Sequence, residues 1–567
     1  MRFLCSQATS TLSFLDLYQH ILNEIMSEIK KRLEISLYTP SGSFSEIVAV
    51  SQKAINKNLD ALLKIYPELG EINIEAHDGT MSAKLASGQV ALHITDNNRG
   101  MVDYFCTFKS GEVSVWDDNL NDFTAPIPMT DWVFAFAVNM GSAEVTQGTD
   151  EYDQAASALN QPGDYSIKRL YLDFSSNQIA SFNEKASSFG DYKFSESGLN
   201  SFKSIMLKWG STVAKGVERE PRKATIGYSA QANDPKTVNK AAPTFPPTSF
   251  RFQNYEYLAP GQSDPTDGLG AKGDSNVLLY LEMTQHLDLP KDMLTYSGNF
   301  VTPSMDGTIC ISKEVFLESY LLRDTAPLLN MLNQYTYAWI KPDRNIHASQ
   351  RISDPQQYLL VGPGSPRDGD PSFFSFSPVQ GSSTQWEWSK SNHTEDSPKE
   401  IKLELWTENS NSLEINPGTN QMILNGRTML HFKNQDWFDL WASGCESKVT
   451  GTWTIELTLN SVKDGGIEIS LNLPNKPTDI FDVGEPSYDE WPFGTLYKPY
   501  AEKLKNGLVE DLTKTPLLDI AEQLQSNLSS ASRFVVPGGG TFFYKDPIFN
   551  NNGDVLIEAE YDGVDVD

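Results

Sequence analysis

The segment DWVFAFAVNM, residues 131–140, is apolar at every position from Trp132 to Val138. Laid out as a strand, it sends Trp132, Phe134 and Phe136 to one face and Val133, Ala135 and Ala137 to the other. A strand wetted on one side alternates apolar with polar residues, so this one is expected to be buried on both. Small residues on one face and rings on the other suit close packing of a helix or the wall of a cavity.

Outward from that strand the period stays at two. Val90, Leu92 and Ile94 alternate with polar neighbours, as do Val102, Tyr104, Cys106 and Phe108, with Val113 and Val115 resuming beyond an expected turn at Lys109-Ser110-Gly111. This predicts an antiparallel meander, extended by a strand centred on residues 170–174. Helices are predicted on both sides of it. One, over residues 12–33, carries Leu15, Tyr18, Leu22, Ile25 and Ile29 at three- and four-residue spacing and is expected to pack on its own domain. A short strand at 44–50 runs into a second helix that buries Ile55, Leu59, Leu62 and Leu63 and stops near Pro67 and Gly70. A third places Phe202, Ile205, Met206 and Trp209 on one stripe.

Residues 231–273 are rich in Pro, Gly, Asn, Ser and Asp and read as a linker or long surface loop. Beyond it, strands are expected at 276–283, 401–406, 451–460 and 466–473, the last alternating Ile467, Ile469 and Leu471 with Glu468, Ser470 and Asn472. Two helical patterns follow over 497–532. The organisation is an N-terminal helix (1–40), a first α+β lobe (41–230), a linker or loop (231–275) and a second, β-rich lobe (276–567) ending in helices and a hairpin.

The chain has 567 residues, 39% hydrophobic and 11% aromatic, enough for large packed interiors. Its formal net charge of -29 repels nucleic-acid backbones and anionic surfaces, so no nucleic-acid partner is expected. Four scattered cysteines, without a C-x-x-C pair, read as buried free thiols in a reducing compartment. The first residues lack a sustained apolar core, and no apolar run is long enough to span a bilayer, so a cytoplasmic location is expected.

Chemical motifs are scarce. Gly538-Gly539-Gly540 would cradle a phosphate only if it opened a helix, whose first N–H groups build such a site. It leads instead into TFFYKDPIF, which is strand-like, so a hairpin turn is expected. GLGAKGD, at 268–274, precedes a strand and not a helix, which argues against a dinucleotide site. The seven histidines are all far apart, and His77, between carboxylates in EAHDG, reads as solvated; no metal site and no cofactor are expected. No G-x-S-x-G elbow occurs, and HLDLPKD (286–292) sets His286 beside two aspartates without a nucleophile signature. Aromatic density in YTYAWI, WEW and WFDLW fits packed cores or an apolar small-molecule cavity.

Several stretches together resemble a known group. EIVAVSQKAINKNLDALLK resembles the opening of the tubular lipid-binding (TULIP-like) proteins of clostridial neurotoxin gene clusters, through an Ala-x-Ser-x-x-x-x-Asn helix start at Ala49, Ser51 and Asn56. MTDWVFAFAVNM, GNFVTPSMDGTICISKEVFLESYLL and RFVVPGGGTFFYKDPIFNNNGDVLIEAEYDG resemble blocks of fungal proteins distantly related to that group. The resemblance implies an α+β fold with two lobes of curved antiparallel sheet wrapped on long amphipathic helices, enclosing an apolar tube for a lipid or other hydrophobic small molecule. It carries over no catalytic residue. The leading expectation is binding of such a ligand, with Tyr104, Trp132, Phe134 and Phe136 as cavity wall. The alternatives are a cofactor-independent cyclase or pericyclase of a fungal natural-product pathway, and a toxin-accessory or protein-interaction component. The oligomeric state is left open.

Overall fold

The computed structural model describes residues 14–94, 101–159, 165–174, 182–232, 247–322, 329–342, 359–363, 372–396, 401–438, 441–461, 467–490, 498–520, 522, 535–536 and 540–561. Antiparallel sheet is its major component. The elements that matter below are, in the first part, α1 (Phe14–Leu33), β1 (Glu46–Ser51), α2 (Gln52–Ile65), β2 (Glu71–Ala76), β3 (Gly79–Leu85), β4 (Gln89–Leu92), β5 (Met101–Asp117), β6 (Val133–Glu144), β7 (Tyr165–Asp173), α3 (Glu196–Arg219) and β8 (Thr225–Ala232). They continue with β9 (Ser249–Tyr255), β10 (Val277–Met283), β11 (Gly307–Ile311), α4 (Asn330–Thr336), β12 (Gln385–Asp396), β13 (Ile401–Ile415), β14 (Gln421–Phe438), β15 (Trp441–Ser461) and β16 (Ile467–Asn472). The last are α5 (Lys498–Leu512), β17 (Val535–Val536), β18 (Gly540–Phe549) and β19 (Val555–Tyr561).

One long sheet runs β9-β10-β1-β11-β19-β18-β17-β8-β7-β6-β5-β3-β2. It interleaves strands from the start, middle and end of the chain, so the two halves share backbone hydrogen bonds. Part of the stretch 231–275 belongs to it: β9 pairs with β10 from Ser249↔Met283 to Tyr255↔Val277. A second sheet runs β12-β13-β14-β15-β16 as consecutive hairpins. Its inner face buries Trp386, Leu403, Leu405, Leu424, Leu430, Ile455 and Leu457, and α5 closes it with Leu504, Leu508 and Leu512.

The Ala-x-Ser-x-x-x-x-Asn stretch has a physical role at the β1–α2 junction. Ser51 caps α2, its hydroxyl accepting the Ala54 N–H at 3.1 Å, which satisfies one of the helix's unpaired N-terminal donors. One turn later Asn56 exchanges two hydrogen bonds with the Val90 backbone (2.7 and 3.1 Å), and the fully buried Gln52 accepts the Leu92 N–H at 2.9 Å. The helix thereby acts as the missing neighbour of β4, whose backbone groups need partners once buried. Its apolar stripe of Ala54, Ile55, Leu59 and Leu62 packs beneath.

Two expectations are corrected. Lys109-Ser110-Gly111 is no turn: β5 runs straight through it as one 17-residue strand. The register against β3 shifts there, with Lys84↔Ser110 followed by Leu85↔Phe108, which is a bulge at Lys109. Gly111, at φ 149°, is needed because a Cβ would lie 2.6 Å from the Ala83 backbone. The stripe of α1 is not buried either where its side chains are described: Leu22, Ile25 and Ile29 are exposed, as is neighbouring Met26. Its last turns are tied down: Glu28 accepts from Tyr257, Lys31 Nζ donates to the Leu258 and Ala259 carbonyls, and buried Arg32 donates to Thr308 at 2.7 Å.

Two other expectations hold among the described residues. Cys106 and Cys310 are buried free thiols. The glycine run is flanked by an antiparallel pair, Val536 opposite Gly540, and Gly540 opens a strand. Residues 537–539, and most of the second helical pattern at 497–532, lie outside the described residues. No helix among the described residues is long and apolar enough to cross a membrane.

Candidate functional site

β5 and β6 set four rings on one face. Their pairing places Phe136 opposite Tyr104 and Phe134 opposite Cys106, while Trp132 stands one residue before β6 with its carbonyl accepting the Phe108 N–H at 2.8 Å. Trp132, Phe134 and Phe136 are buried and Tyr104 is half-buried. The opposite face of β6 carries buried Ala135 and Ala137, as its small residues require.

The cover comes from an irregular strap, residues 182–194. β6 pairs with β7 only from Asn139 onward. Its first half is edged instead by the strap, through reciprocal Val133–Ser188 bonds (2.7 and 2.8 Å), Asn183 N–H to Ala135 O at 2.9 Å, and Ala135 N–H to Ser187 Oγ at 2.9 Å. The strap lays Phe182 flat on Phe134 (centroids 5.3 Å apart, 17°) and brings Phe189, Tyr192 and Phe194 within 5.3–5.8 Å of Trp132. α3 closes the cluster with Phe202, 5.6 Å from Phe134 and 6.0 Å from Trp132. Tyr104 meets Phe136 at 5.6 Å and Phe174 at 5.0 Å. These spacings are those of favourable tilted, edge-on and offset ring pairs. Burial pushes the Cys106 thiol and the Tyr104 hydroxyl above their ordinary ranges, so the face stays uncharged at neutral pH.

The structure thus brings all four expected residues together and adds strap rings that the sequence reading missed. Their signal, F-x6-F-x2-Y-x-F from Phe182, has neither a helical nor a strand period, so periodicity could not find it. A separate cleft of about 350 Å³ opens near the sheet's far edge, lined by Asn73, Ile74, Glu75, Met81, Ser82 and Glu112 among others; none of the four rings lines it.

Of the other candidates, His77 is fully exposed in the β2–β3 turn. His286, Asp288 and Asp292 sit in an exposed loop. Trp386 and Trp388 of WEW are core residues. Among the described residues one set of side chains converges as a metal could require: His393, Glu395 and Glu404, with ligand atoms within 4.8 Å of one another.

No protein-family model and no curated protein matches the chain. Among solved structures it is similar to P47 from Clostridium botulinum A2, at 10% identity over 91% of this chain and 97% of that one, with a TM-score of 0.44. It is similar to P47 of Clostridium botulinum E1 at 10% identity, 92% and 99% coverage and a TM-score of 0.42. It is similar to a lipopolysaccharide binding protein at 11% identity, 92% and 100% coverage and a TM-score of 0.28.

Proposed function

We propose that the chain binds a lipid or other hydrophobic small molecule against the ring face of β5 and β6, with Tyr104, Trp132, Phe134 and Phe136 as its wall. The observation that carries this reading is the strap. It covers an uncharged aromatic face with half-buried rings yet is held to β6 by a few hydrogen bonds in place of a full ladder. Segments of low local bonding open at lower cost than core strands. A ligand that slides between strap and sheet exchanges ring–ring for ring–ligand contact and loses apolar surface to water at roughly 25 cal/mol per Å². The TULIP-like resemblance of the sequence points the same way.

The test is native mass spectrometry of the purified chain, followed by thermal unfolding of the stripped protein with a long-chain fatty acid or a phospholipid. A co-purifying apolar mass, and a rise in melting temperature with added ligand, are expected. A Trp132→Phe variant should report the same ligand with altered fluorescence. Clean protein whose melting temperature neither compound moves would overturn the proposal.

A further inference from the structure

The outer, solvent-facing side of the second sheet carries a layered arrangement that ligand binding in the first lobe does not use. His393, Trp406 and His431 lie side by side across β12, β13 and β14, in register as His393↔Trp406↔His431. The indole of Trp406 is sandwiched between the imidazoles: His393 stacks on one side at 4.9 Å and 7°, His431 on the other at 4.4 Å and 17°. Stacking fixes the plane of His393, so its ring nitrogens are presented at a set edge and do not sweep a cone. In the next row Glu395 stands directly opposite Glu404. Two carboxylates opposite each other on neighbouring strands repel. Glu404 is half-buried and holds Lys402 Nζ at 2.9 Å; no hydrogen bond or ion pair engages His393 or Glu395 among the described residues. His431 is committed elsewhere, to Glu446 at 2.8 Å.

We propose that His393, Glu395 and Glu404 form a binding site for a first-row divalent metal ion, Zn²⁺ being the best fit. One imidazole nitrogen among three donors selects such an ion over Ca²⁺ or Mg²⁺, which take oxygen donors. Bonds near 2.0–2.2 Å set ligand atoms roughly 3.4 Å apart. The observed spread of up to 4.8 Å must narrow by little more than 1 Å, a change that rotation of the two long glutamate side chains would supply. The ion relieves the Glu395–Glu404 repulsion and displaces the Lys402 ammonium. Water completes the coordination. The strongly negative chain raises the local concentration of cations at such a site.

The test is calorimetric titration of the purified full chain with Zn²⁺ at neutral pH, paired with Co²⁺ quenching of the fluorescence assigned to Trp406 by difference from Trp406→Phe. One ion is expected to quench Trp406. His393→Asn, Glu395→Gln and Glu404→Gln should each weaken binding by about tenfold or more. Lys402→Met should tighten it severalfold by removing a competing cation. His431→Asn, on the far side of the indole, should leave it within about twofold. All these side chains lie on the sheet's outer face, and an unchanged near-ultraviolet circular dichroism spectrum checks the fold. The proposal is overturned if Trp406 is not quenched below about 1 mM ion, or if His431→Asn removes the quenching while His393→Asn does not.

Discussion

On β6, buried Phe134 meets the rings of Phe136, Phe182 and Phe202; at the centre of β13, Thr407, Asn409 and Asn411 are buried as completely and meet polar groups. Asn409 exchanges two hydrogen bonds of 3.1 Å with the Ala338 backbone, and Asn411 donates to Asn333 Oδ1 at 2.7 Å and Thr336 Oγ1 at 3.0 Å. Thr428 on β14 joins them through Asn409 Oδ1 at 2.9 Å. The difference follows from what each sheet covers. The first sheet faces the apolar stripe of α3, whose backbone is satisfied within the helix. The second faces α4 where it ends, and the non-helical backbone that follows needs partners that only side chains can supply. One core is specified by ring shape and the other largely by hydrogen-bond geometry.

The largest effect should come from Phe134→Ala, which opens a hole among three rings and costs about 3–5 kcal/mol in chemical unfolding. Phe134→Leu should cost less than about 1.5 kcal/mol, because an apolar face tolerates a change of shape better than a loss of volume. Asn411→Leu keeps the volume at the second site yet strands two acceptors, and should cost about 1–3 kcal/mol. If the leucine stabilises there, the contrast between the two cores fails. Gly426 lies between Asn411 and Trp453 in one cross-strand row, and the indole of Trp453 lies over it; a Cβ would sit 1.9 Å from Trp453 Nε1. Gly426→Ala must tilt a buried ring and should cost about 1 kcal/mol or more, with a shift in near-ultraviolet circular dichroism.

The same contrast explains what was legible in the sequence. β6 announces itself because every position on both faces is apolar. β14 does not: its inner positions run Met422, Leu424, Gly426, Thr428, Leu430 and Phe432, and the Gly and Thr at the centre dilute the alternation. Those residues are there to fit an indole and to satisfy backbone, needs set by α4 and Trp453 far along the chain. The strap was missed because its rings answer to a facing surface and not to a period of their own. The His393 cluster was missed because histidine spacing along the chain says nothing about a residue facing it across a hairpin. The exposed stripe of α1 shows the converse: an amphipathic period proves a helix and leaves open what it packs on.

Toward the other end of the first sheet, on strands that both halves share, a third solution appears. Glu46 and Glu282 are directly opposite on β1 and β10, both buried, and Glu46 Oε2 has no hydrogen-bond partner among the described residues. Burial raises both carboxyls well above the ordinary range near 4.5, and Glu282 adds to the rise at Glu46; Tyr280, two residues along β10, is likewise pushed up by burial and by Glu282. The folded chain therefore holds protons that the unfolded chain has released. Stability from this pair is present at low pH and is lost as pH rises from about 4.5 through neutrality, the reverse of a salt-bridged carboxylate. Asp511 and Asp554, pushed up to about 6 by burial, add slope of the same sign below neutrality. The expected fall is about 1 kcal/mol or less per pH unit, read from unfolding midpoints between pH 6 and pH 8. Glu282→Gln, neutral at every pH, should flatten that slope and raise the midpoint at pH 8. A slope unchanged in Glu282→Gln would mean that the pair is ionised and paired to a cation.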